Sequence, residues 1–179
     1  MSEPLHDAGH GALLPPGPRR LLMNACRLYA MAGSTVFVGL VVMSIVSIAG
    51  RKLFSSPVPG DVEVLQMLAA VAAASFFAYC HLIGGDVKVD FFTAKASPRV
   101  VHGLDMLGSV LVALTGALLA WRTGAGALVV KEAGENSMIL DWPLWIPQMA
   151  IVPGFVLMAL AGLSQAGSHW RALREGAAA

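Results

Sequence analysis

LYAMAGSTVFVGLVVMSIVSIAG, residues 28–50, contains no Asp, Glu, Lys or Arg. About 20 apolar residues cross the roughly 30 Å of hydrocarbon in a bilayer, so this stretch is long enough to span one. Working outward from it, residues 64–85, 106–121 and 142–170 are free of the same four residue types. The first and last of these three are also long enough, and the third span is completed by starting it near Val101. The chain is therefore read as an all-α integral membrane protein with four transmembrane helices, at about 28–50, 64–85, 101–121 and 143–167. Residues 25–170 form one membrane domain, flanked by a mobile polar tail at 1–24 and a cytoplasmic tail at 171–179.

Composition agrees. Hydrophobic residues make up 56% and charged residues 13% of the 179 positions, against about 25% charged in soluble domains. The connections are too short for a separate soluble domain, which needs at least about 50 residues. A formal net charge of +1 with no basic stripe excludes nucleic acid as a partner. Almost nothing ionisable lies at mid-depth, so the spans offer little with which to relay protons, hold a metal or bind a polar solute. No catalytic residue, cofactor or metal site is expected, and the chain is not read as an enzyme.

The N-terminal 18 residues are rich in Gly and Pro. Arg19 and Arg20 ahead of an apolar run resemble a twin-arginine signal, but residues 28–50 exceed the 7 to 15 residues of a signal core, so the first span is read as uncleaved. Basic residues near span ends stay on the cytoplasmic side. Arg19, Arg20, Arg27, Lys88, Lys95, Arg99, Arg171 and Arg174 fall on one side; Arg51, Lys52, Arg122 and Lys131 fall on the other, with Asp61, Glu63, Glu132, Glu135 and Asp141. Both termini are accordingly placed in the cytoplasm. Trp121, Trp142, Trp145 and Trp170 sit at span ends, where indoles anchor in the headgroup region.

The connections carry local chemistry. Ser55, Ser56, Pro57, Pro59 and Gly60 form a turn that leads into Asp61 as N-cap of the second helix, with Glu63 in its first turn. Glu63 is read either as a helix-end acid favoured by the dipole or as a docking or inter-subunit contact. Residues 86–97, with Phe91 and Phe92 between charges, are read as a short interfacial segment, with a solvated loop as the alternative. Asp105 falls in the first turns of the third helix, as a helix-end acid near the cytoplasmic surface or as the partner of a cation on another subunit. His81 and His102 lie at cytoplasmic span ends and raise the thought of a haem, which nothing else favours. Cys26 and Cys80 lie toward the reducing side, so no disulfide is expected. Ala70, Ala74 and Ala78 repeat every four residues, and Gly33, Gly39, Gly108, Gly116, Gly154 and Gly162 continue the small-residue theme, marking faces where helices approach within the chain or against a second protein. Pro153 before Gly154 loosens the fourth helix and frees a carbonyl that needs a partner inside the protein.

Taken in order, several of these features resemble a known family. They are the turn Pro57, Pro59, Gly60 leading to Glu63, the run Phe76-Phe77-Ala78-Tyr79, the stretch Val87-Lys88-Val89-Asp90, and Trp142-Pro143-Leu144-Trp145-Ile146-Pro147 followed by Pro153-Gly154-Phe155. Over residues 27–170 the chain is similar to the small permease subunit of tripartite ATP-independent periplasmic (TRAP) transporters. It departs where Gly84-Gly85-Asp86 replaces a basic or His-containing run, which puts a cytoplasmic contact there in doubt. The resemblance implies a multi-pass protein of the bacterial inner membrane that braces a large permease subunit. That subunit would carry the substrate and sodium sites for uptake of an organic acid, and a periplasmic substrate-binding protein would deliver the acid. By the same resemblance the far-side charges Arg51, Lys52, Arg122, Lys131, Glu132 and Glu135 are docking candidates for that binding protein. The alternatives are a membrane-anchoring subunit of a redox complex, or a self-contained small transporter, for which a mid-span carboxylate would be expected.

Overall fold

The computed structural model describes residues 16–56, 58–85 and 98–175, and these fold into four α-helices: α1 (Pro16–Phe54), α2 (Asp61–Leu82), α3 (Pro98–Ala133) and α4 (Trp145–Glu175). Each is long and apolar enough to cross a membrane, and no strand is found among the described residues. The proposed interfacial segment at 86–97 lies outside the described residues.

The helices outrun the spans read from charge alone. α1 begins at Pro16, inside the stretch read as a mobile tail, because Pro suits a first helical position where its missing N–H costs nothing. α4 continues to Glu175, into the stretch read as the C-terminal tail. The largest difference is α3. Read as ending at Trp121, it runs on to Ala133, since one arginine at the membrane surface does not stop a helix and residues 125–130 are again small or apolar. Arg122, Lys131 and Glu132, read as loop charges, are therefore helical. At 1.5 Å per residue the 39 residues of α1 and 36 of α3 measure about 58 and 54 Å, well beyond the hydrocarbon thickness.

The helix ends explain the turns. α2 and α3 both end in a left-handed glycine, Gly84 (φ 69°) and Gly134 (φ 65°), because that conformation lets two successive N–H groups return to the last turn. Gly84 N donates to the His81 carbonyl and Gly85 N to that of Cys80, while Gly134 N donates to Lys131 and Glu135 N to Val130. At the start of α2 the N-cap is Gly60 (φ 73°), not Asp61 as the sequence suggested. Leu140 packs so closely over Gly60 that a β-carbon there would sit 2.5 Å from its Cγ. The left-handed backbone at Gly60 and the Leu140 side chain above it both disfavour a side-chain-bearing cap, and Asp61 moves one residue into the helix.

The helices lie in the order α1, α2, α4, α3. α1 packs on α2 and touches α4, α2 packs on α4, and α3 packs on α4 alone, with no contact to α1 or α2 among the described residues. The interior is made largely of alanine, including Ala72, Ala74, Ala78, Ala113, Ala127 and Ala161. Large apolar side chains face outward instead, among them Val42, Ile45, Leu111 and Leu114. Lipid tails are as apolar as these side chains, so helix contacts in a membrane come from close van der Waals approach of small residues. Gly154 shows how close: a β-carbon there would lie 2.6 Å from the Ala74 carbonyl oxygen. Gly162 stands in the same relation to the backbone of Ser109 and Ala113, and Gly116 to Ala159.

Candidate functional site

Polar side chains gather at the two ends of the helix row. At the end that carries the α1–α2 and α3–α4 connections, Asp61 accepts hydrogen bonds from the Ser47 hydroxyl and from Val62 N (2.8 Å), and meets the Arg51 guanidinium at 3.4 Å. Ser47 is fully buried and also accepts from Val58 N at 3.4 Å. This cluster ties the last turns of α1 to the first turn of α2.

Glu63 reaches across the sequence. Its two carboxylate oxygens accept from the backbone N–H groups of Ile139 (3.0 Å) and Leu140 (3.3 Å), in the connection between α3 and α4. The connection is itself folded back: Ser137 N donates to the Trp142 carbonyl at 2.8 Å, Leu144 N to Glu135 at 3.1 Å, and Asn136 Nδ2 to Asp141 Oδ1 at 2.9 Å. Asp141 takes a left-handed φ of 54° at its turn. The Lys131 ammonium lies 4.9 Å from the centre of the Trp145 ring, a cation–π contact joining α3 to the start of α4. A rigid platform results, with charges on its rim.

The docking candidates divide accordingly. Arg51 is engaged with Asp61 and Lys131 with Trp145, whereas Lys52, Arg122, Glu132 and Glu135 have exposed side chains with no partner among the described residues. Of the tryptophans, Trp121, Trp142 and Trp170 are more than half exposed and Trp145 is half-buried. Beside the platform, Val64, Leu68 and Val71 of α2 and Trp142, Ile146 and Pro147 border an apolar groove of about 390 Å³. Its walls offer no charged group with which to hold a polar solute.

The packing faces are partly as read. Ala74 and Ala78 are buried, but Ala70 is exposed, and the buried stripe takes in Ala72, Ser75, His81 and Leu82 instead. Gly154 lies buried beneath Ala74, and the Tyr29 hydroxyl donates to the Ala150 carbonyl, next to the Met149 carbonyl that Pro153 leaves without its helical donor.

At the opposite end, Cys26, Ala78, Leu82 and Ala161 form a buried cluster joining α1, α2 and α4. Cys26 and Cys80 are both free thiols. Gln165 Nε2 donates to the carbonyl of His81 at 3.3 Å. His81 and His102 lie on α2 and α3, helices that do not touch among the described residues, so the pair imagined as haem ligands is not brought together. His102 instead meets His169 of α4, with ring centres 5.8 Å apart, and Asp105 joins them. His169 carries no signal in the sequence by itself; the spacing of His102 and Asp105 three apart on one helix face was the readable half.

Residues 40–172 match the family described as tripartite ATP-independent periplasmic transporters, DctQ component. No curated protein and no solved structure matches the chain.

Proposed function

We propose a bracing role for this chain, which belongs to the DctQ-component family of tripartite ATP-independent periplasmic transporters and so is a small membrane subunit of such a transporter. It holds a large permease subunit in the bilayer of the bacterial inner membrane and contributes to docking a periplasmic substrate-binding protein. The large subunit carries the substrate and sodium sites, and the cargo is an organic acid.

The observation that carries this reading is the open row of helices. Small residues inside and large apolar side chains outside are what a lipid surround permits, but the helices form a row and not a closed ring: among the described residues α3 packs on α4 alone, which leaves the rest of its surface uncovered by this chain. Such faces are suited to lie against lipid or against another membrane protein. The chain's own polar groups are spent on tying its connections together, so it is built to be rigid. Extraction in mild detergent should yield the chain together with a much larger many-span protein. A stable monomer that carries full uptake activity by itself would overturn the reading.

A further inference from the structure

We propose that His102, Asp105 and His169 form a binding site for a divalent transition-metal ion of the Zn²⁺ type, joining α3 to α4. His102 and Asp105 stand three residues apart on one face of α3, and α4 brings His169 against them. One donor atom from each lies within 4.8 Å of the other two. Donors about 2.0–2.1 Å from a tetrahedral ion stand roughly 3.3–3.4 Å from one another, so side-chain rotations that draw the donors together by up to about 1.5 Å close the site. The two ring centres stand 5.8 Å apart, near enough for both imidazoles to reach one ion.

A second observation concerns His102. Its Nδ1 is buried and has no hydrogen-bond partner, although buried polar atoms are nearly always satisfied. One of the two ring nitrogens of His102 is the donor that reaches the cluster, and an ion taken up there through Nδ1 would satisfy that atom. Two imidazoles and one carboxylate suit Zn²⁺, which takes three protein ligands and a water. Ca²⁺ and Mg²⁺ prefer oxygen alone, and Cu⁺ prefers sulfur. Among the described residues α3 packs on α4 alone, so an ion here would pin the start of α3 to its one neighbouring helix. The inference does not depend on the bracing role.

The test uses the full chain in mild detergent, with whatever partner co-purifies, carrying no polyhistidine tag and stripped with a chelator. Titration with Co²⁺ should give the intense visible bands of a four-coordinate ion, saturating at one ion per chain and removed by Zn²⁺. His102→Ala, Asp105→Asn and His169→Ala should each weaken binding at least about tenfold, since even residues that only orient ligands are worth ten- to a hundredfold. His81→Ala should leave the bands unchanged. His169→Cys separates a lost ligand from a lost fold: it should keep the bands and add thiolate-to-cobalt absorption in the near ultraviolet. The proposal is overturned if the natural chain gives no bands at millimolar Co²⁺. It is equally overturned if they persist in His102→Ala and His169→Ala, which would put the ion on other histidines such as His6 and His10.

Discussion

Glu63 shows how a single carboxylate organises one end of the protein. It accepts two backbone N–H groups from a connection 76 and 77 residues away in sequence, which makes it the link between α2 and the turn before α4. Hydrogen bonds to an ionised acceptor are roughly twice as strong as neutral ones, although access of water weakens them. Glu63→Ala should therefore bring the thermal transition in detergent down by a few degrees and speed proteolysis between Gly134 and Leu144. Glu63→Gln keeps an acceptor and should lose less. Equal stability of all three chains would refute the link. The sequence placed Glu63 in the first turn of α2 from the dipole argument, but its partners were hidden, because nothing local marks Ile139 and Leu140 as donors. Asp105, read as a helix-end acid on a helix starting near Val101, lies beyond the first turn of α3, which begins at Pro98 and holds no acid in that turn; His169 was not legible at all, because its meaning comes only from the neighbour that α4 brings to it.

At the scale of the helices, the four apolar elements followed directly from the absence of charge, while their ends did not. Arg122 looked like an end because charge usually marks one; its long side chain allows the apolar run beyond it to stay helical. The small-residue faces divide in a way that composition does not show. Gly154 is pressed against the α2 backbone at Ala74, whereas a β-carbon added at Gly39, equally helical, would meet nothing within 4 Å. Gly154→Ala should therefore destabilise the isolated chain by about 1–3 kcal/mol through overpacking. Gly39→Ala should be neutral or slightly stabilising, because Ala is the better helix former. Thermal unfolding of the two variants side by side is decisive, and equal loss in both would mean that the α2–α4 approach is not held at Gly154.

The whole molecule joins these scales through its asymmetry. A row of helices held by alanine and glycine contacts leaves two long, greasy outer helices, α1 and α3, each about twice as long as the hydrocarbon is thick. Their excess length must emerge from the bilayer or be taken up in tilt. The C-terminal ends of both emerge at the platform, which carries Lys52, Glu132 and Glu135; Arg122 lies on the same half of α3 but about 16 Å before its end at Ala133, while Arg171 and Arg174 lie at the far end. Arg51 is a poor probe of docking, since reversing it also breaks its pairing with Asp61. Lys52 and Arg122 are better, because exposed charges without partners contribute little to the fold yet steer the approach of another protein. The charge reversals Lys52→Glu and Arg122→Glu should slow uptake severalfold and do so most at low ionic strength, where screening is weakest, with the membrane level of the complex unchanged. Reversal of Arg171 and Arg174 should leave the rate of delivery by the binding protein unaltered. If the two pairs slow uptake equally, the charges act on the complex as a whole and the platform is not the docking surface.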